Sequence, residues 1–70
     1  MGDSVECRSE SAYPEKPVAV NWEGARREVE TILGRWRDPQ GIHFRVRTTD
    51  RLVFELTYLS ATDEWLIKPT

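Results

Sequence analysis

The chain has one cysteine, Cys7, and one histidine, His43, in 70 residues. A lone thiol makes no intramolecular disulfide, and one imidazole with scattered acids lacks the spacing of a zinc or other metal site, so the usual staples of very small domains are missing. The four glycines, Gly2, Gly24, Gly34 and Gly41, lie too far apart to form a phosphate-cradling loop. No apolar stretch approaches the roughly 20 residues of a membrane span, and no basic-then-apolar leader opens the chain. The expected location is the cytoplasm, with no membrane partner. Neither charge sign dominates: ten Lys and Arg stand against twelve Asp and Glu, a formal charge of −2, which excludes the uniform basicity of a histone-like tail.

What is present suits one small folded unit. Hydrophobic residues make up 39% and charged residues 31%, too apolar for a wholly disordered segment, while the length leaves no room for a second core. Residues 1–15 hold Asp3, Glu6, Glu10 and Glu15 against Arg8, with serines between and no apolar period, and read as a disordered acidic tail. Residues 16–70 carry nine cations against eight acids and form the domain. Pro14 and Pro17 suit a linker running into a first strand.

Period-two alternation marks four strands. Val18, Val20 and Trp22 alternate with Ala19 and Asn21 before a Glu23-Gly24 turn. Phe44 and Val46 alternate with His43, Arg45 and Arg47. Leu52, Phe54, Leu56 and Tyr58 share one face of a strand that follows a Thr49-Asp50-Arg51 turn. Trp65 and Ile67 alternate with Glu64, Leu66 and Lys68, and Pro69 ends the pairing.

Residues 24–38 are ambiguous. Ala25, Val29, Ile32, Leu33 and Trp36 fall at the spacing of one helical face, which predicts an α+β fold with a helix at 25–37. Against it, Gly34 would sit in the last turn and no capping residue precedes Ala25. The alternative is a strand with Val29 and Leu33 inward, a bulge near Thr31 and Ile32, and a bend at Gly34 that returns Trp36 to the core.

The W-x-G at Trp22 to Gly24, the V-x-x-I-L-x-x-W-R from Val29 to Arg37, the F-R-V-R-T from Phe44 to Thr48 and the segment Glu64 to Leu66, where the pattern carries a last W-x-L, together resemble a family of small uncharacterised bacterial β domains. The match spans about residues 17–68. The chain departs from it at Arg27, often aromatic in the family, and at Leu59 and Ala61, where a charged hairpin is usual. The resemblance implies a strand after W-x-G, and so favours the β reading. It also implies a DNA-repair setting, since similar domains occur at the tail of, or near, Y-family polymerase-like proteins.

The expected fold is therefore all-β: a five-stranded antiparallel meander curled into a small SH3-like barrel or strongly bent sheet. Its expected core is Val18, Val20, Trp22, Val29, Leu33, Trp36, Phe44, Val46, Leu52, Phe54, Leu56, Trp65 and Ile67.

Aromatic and basic residues interleave from Arg35 to Arg51, where five arginines face only Asp38 and Asp50. If Arg35, Arg37, His43, Arg45, Arg47 and Arg51 project from one surface, guanidinium groups meet phosphates while an exposed ring stacks on a base. Glu28, Glu30 and Glu55 across neighbouring strands would instead make this a self-neutralised outer face. The alternative binding reading is a protein-interaction adaptor that offers an edge strand or an aromatic groove of Trp22, Tyr58 and Trp65 to a peptide, although large side chains in so small a domain also serve as core. Catalysis finds little support: His43 with Asp50 or Glu55 makes a base and an orienting carboxylate, but the serines concentrate in the tail and at Ser60. The sequence reads as a non-enzymatic binding module without cofactor, whose partner is nucleic acid or a DNA-repair protein, with homodimerisation through an edge strand left open.

Overall fold

The alternating segments pair with their chain neighbours throughout. A computed structural model describes residues 3–8 and 16–70, and among these six strands follow one another: β1 (Ser4–Arg8), β2 (Lys16–Trp22), β3 (Ala25–Asp38), β4 (Gly41–Thr48), β5 (Val53–Leu59) and β6 (Glu64–Pro69). All are antiparallel, in the spatial order β1-β2-β3-β4-β5-β6, and β1 approaches β6 without a ladder between them. The result is a curled, half-barrel sheet. The fold is all-β, as the alternation and the motif resemblance suggested, and the segment at 25–37 is strand rather than helix.

The expected count of five strands is corrected to six. Ser4–Arg8, assigned to the tail, form β1, because Val5 packs against the central core and Asn21 of β2 donates hydrogen bonds to Ser4 (3.0 Å) and Glu6 (3.1 Å). The rest of the expected tail, residues 1–2 and 9–15, lies outside the described residues.

Turn chemistry sets the hairpins. Glu23 and Gly24 both adopt positive φ (52° and 78°) between the paired Trp22 and Ala25, the geometry of a two-residue hairpin loop whose twist matches the strands. Asp38 Oδ1 accepts from the amides of Gln40 (2.9 Å) and Gly41 (3.2 Å), closing the β3–β4 turn around Pro39. Between β4 and β5, the Arg51 amide donates to the Thr48 carbonyl (2.9 Å) and Arg51 itself takes φ 67°. Asp50 in that turn accepts from the Thr48 hydroxyl and pairs with Arg27 at the start of β3.

β3 belongs to two ladders. Ala25–Glu28 pair with β2, and residues 29–38 pair with β4. Within the second ladder the register skips Glu30 and Leu33, so each is an extra residue opposite one position of β4. Side chains directly opposite one another share a face, so Val29, Ile32, Arg35 and Arg37 lie on the inner side with Thr48, Val46, Phe44 and Ile42, while Thr31, Gly34 and Trp36 lie outside with Arg47, Arg45 and His43.

The core is Val20, Ile42, Phe44, Val46, Phe54 and Leu56, with Val5, Trp22, Val29, Ile32, Trp65 and Ile67 packed around it. Trp22 meets Phe54 edge-on at 5.8 Å, and Trp65 packs on Phe44 and Tyr58 at 6.0 and 5.3 Å. Three expected core residues are exposed instead: Leu33, Trp36 and Leu52. Leu33 is the second extra residue of β3, that bulge turns Trp36 outward, and Leu52 precedes β5 in the turn. Ile32, Ile42 and Tyr58 line the inner side in their place.

Replacing the fully buried Phe54 by alanine is expected to cost about 3–5 kcal/mol. Gly41→Ala is expected to cost on the order of 3 kcal/mol, because a Cβ there would lie 1.8 Å from the Tyr58 carbonyl oxygen in the neighbouring strand. Urea unfolding of both variants against the parent checks these values; a Gly41→Ala protein of parental midpoint would contradict the close β4–β5 approach.

Candidate nucleic-acid interface

The basic residues divide according to their carboxylate partners. Arg26 is held by Glu6 (2.9 Å) and Glu28 (3.3 Å), forming with Asn21 a polar cover over the fully buried Ala19. Arg27 is tied to Asp50, and Arg47 to Glu30 at 3.1 Å. Arg35, Arg37, Arg45 and Arg51 make no ion pair among the described residues. Glu30 and Asp50 therefore engage Arg47 and Arg27, while Arg35 and Arg37 stand without an ion pair at the far end of β3.

The single surface expected for Arg35, Arg37, His43, Arg45, Arg47 and Arg51 is not what the bulges produce. Arg35 and Arg37 emerge on the inner side, where the Arg35 guanidinium lies 5.9 Å from the centroid of the Phe44 ring. His43, Arg45 and Arg47 are on the outer side. Arg51 sits in the β4–β5 turn, at the opposite end of β4 from the position paired with Arg37, a separation of about 20 Å along a strand. Arg45 shares the outer side with Trp36, opposite Gly34, while Arg35 and Arg37, on the inner side, line a cleft with Trp36 and Ile42; Arg47 and Arg51 stand apart beside Glu30.

His43 is not exposed. It is buried to 8% relative exposure: Trp36 stacks on it with an interplanar angle of 3° and centroids 5.3 Å apart, and its Nδ1 lies 2.9 Å from the Thr57 hydroxyl. Its Nε2 lies 2.7 Å from Asp38 Oδ2, a close polar contact. The imidazole thus supports the indole rather than meeting a ligand. The indole also reaches over Gly34, where a Cβ would lie 3.8 Å from the ring, an ordinary van der Waals distance. Trp36 keeps 41% of its surface exposed, a ring fixed from beneath that lines a cleft with its chain neighbours Arg35 and Arg37.

Sequence reasoning assigned Trp36 to the core and passed over Thr57 and Asp38. The R-W-R triplet marked the place, but the double bulge that turns its central ring outward has no residue signature. The alternative aromatic groove does not form as an open surface: Tyr58 is buried and donates its hydroxyl to Asp63 at 2.6 Å, while Trp22 and Trp65 are half-buried against the core.

The chain matches no family model, and no curated protein and no solved structure is significantly similar to it. Among the described residues no group of three or more His, Cys, Asp or Glu could hold a metal ion, and no helix is long and apolar enough to cross a membrane. Cys7, expected in the tail, lies half-buried in β1, where desolvation pushes its thiol up to about 11 and keeps it protonated at neutral pH.

Three carboxyls are held below their ordinary values by the contacts described. For Asp38 the leading cause is His43, followed by the Gln40 and Gly41 amides; for Asp50 it is the Thr48 hydroxyl, then Arg27; for Glu6 it is Arg26, then Asn21. A carboxyl depressed in the folded state adds stability that is present above its unfolded pKa and lost as pH falls through the folded one. The melting temperature is therefore expected to hold down to the ordinary glutamate value of 4.5 and to fall progressively below it, more steeply below the ordinary aspartate value of 3.8. Asp38→Asn and Asp50→Asn should each flatten that acid limb in thermal melts; an unchanged limb in both would contradict these contacts.

Proposed function

We propose that the chain is a non-enzymatic module that binds single-stranded nucleic acid at the far end of β3. Trp36 is the stacking platform, and Arg35, Arg37 and Arg45 contact phosphates. One observation carries this reading: an exposed indole held flat on a buried histidine, beside Arg35 and Arg37, which make no ion pair among the described residues. An unsupported surface tryptophan would lose rotamer freedom on meeting a base, whereas this one is already ordered. Base stacking contributes about 1–3 kcal/mol per base and is tolerant of sequence, while free guanidinium groups supply the salt-dependent part of affinity. The resemblance of the W-x-G, V-x-x-I-L-x-x-W-R and F-R-V-R-T segments to small bacterial domains near Y-family polymerase-like proteins favours a DNA-repair setting for this activity.

Fluorescence anisotropy with a labelled oligothymidylate, at low and at physiological salt, tests the proposal. Three phosphate contacts predict a log–log salt slope of about −2. Trp36→Ala should weaken binding by about tenfold or more while the melting temperature stays near that of the parent. Arg37→Glu should weaken binding and flatten the slope. No anisotropy change at low salt, or a Trp36→Ala protein that binds as well as the parent, would remove nucleic acid as the ligand of this site.

A further inference from the structure

β2 and β3 do not stay paired along their lengths. Their ladder runs from Trp22 and Ala25 to Ala19 and Glu28 and stops there, while β2 continues back to Lys16 alongside β1 and β3 continues to Asp38 alongside β4. Pro17, two residues beyond the last rung, has no amide to donate. Past Glu28 the strands part and leave a groove of about 490 Å³ lined by Val18, Val29, Thr31 and Ile32 together with the exposed Arg8 and Lys16. Along this groove the side of β3 turned away from β4, from residue 29 onward, has no ladder partner among the described residues.

Charge is arranged unusually in this groove. Arg8 and Lys16 are directly opposite one another in the β1–β2 register, both are exposed, and neither is ion-paired among the described residues. Like charges facing each other across a ladder are destabilising. Arg26, by contrast, is held by Glu6 and Glu28. Among the described residues lining the groove the one carboxylate, that of Glu30, is engaged by Arg47. Two facing cations without an ion pair among the described residues, beside a strand edge that has no ladder partner among them and over apolar walls from Val18, Val29 and Ile32, have the chemistry to recognise an extended chain with alternating apolar and acidic residues.

We propose that this groove binds an acidic peptide segment in extended conformation, which adds a strand to the free edge of β3 and places a carboxylate between Arg8 and Lys16. Four residues of β3 line the groove, about 13 Å of strand, enough for about four residues of ligand. Apolar side chains at alternate positions of the ligand face Val29 and Ile32, and the intervening acidic ones reach Arg8 and Lys16. The site shares no residue with the Trp36 surface, so it stands or falls separately from the nucleic-acid reading.

The test uses the full chain, labelled for amide NMR, titrated with the capped peptide acetyl-Val-Thr-Val-Asp-Val-Asp and with its analogue carrying lysine for aspartate. The expected result is a shift of the amides of residues 16–18 and 29–32 with the acidic peptide and a much weaker response to the lysine analogue. The double variant Arg8→Glu, Lys16→Glu, altered only at exposed positions, should bind the acidic peptide about tenfold more weakly and prefer the lysine analogue. Comparison of the two peptides on the parent chain decides the question even if that variant folds poorly. No shift in the groove, equal binding of both peptides, or groove amides that answer to an oligonucleotide and not to the acidic peptide would each overturn the proposal.

Discussion

The path of β3 is the constraint on which the other elements depend. Fourteen residues must pair first with β2 and then with β4, and a strand cannot serve two differently oriented ladders without bending. The extra residues Glu30 and Leu33 supply that bend. By turning the second half of β3 away from β2, they bring the inner side of β4 and β5 against Val20, Trp22 and Val5, so that one small cluster centred on Phe44 and Phe54 is shared by both halves of the sheet. The same turn leaves β2 and β3 apart beyond Glu28 and sets Trp36 on the outside. Core, groove and exposed indole thus have a single geometric origin.

This geometry explains which parts of the fold were legible in the sequence. β4 and β5 alternate without interruption, and Phe44, Val46, Phe54 and Leu56 are buried as their period-two pattern required. β3 misleads because each extra residue converts an inward step of two into a step of three. Val29, Ile32 and Arg35 face inward at intervals of three, which approximates the face of a helix although the backbone is extended. A strand reading with one bulge near Thr31 and Ile32 comes closer, but with a single interruption Trp36 returns to the core. Two interruptions place it outside. β1 was missed for a different reason: five residues with polar Ser4, Glu6 and Arg8 carry too little alternation to stand out, and only Val5 anchors them to the core.

The site was half legible on the same terms. Composition located the cations between Arg35 and Arg51, and nothing in composition states which carboxylate faces which arginine. The folded register decides it, giving Arg47 to Glu30 and Arg27 to Asp50, setting Glu55 opposite Arg45, and leaving Arg35 and Arg37 without an ion pair among the described residues. His43 shows how far local pattern can mislead about exposure. It lies on the outward-facing positions of β4, yet the ring stacked over it from β3 makes that outer position one of the buried sites of the molecule.

The order of the strands has a kinetic consequence. Each strand is hydrogen-bonded to its neighbours in sequence, so the loops closed to form successive hairpins are short and the entropy lost in each closure is small. The approach of β1 to β6 is different, because it joins segments near the two ends of the chain. β1 enters the core through Val5 at a margin of the cluster and has a ladder on one side alone. Opening that strand disrupts fewer buried contacts than opening β4 or β5. The seam between the first and last strands is therefore the place where this sheet opens most readily, a local excursion that leaves the β3–β4–β5 centre intact.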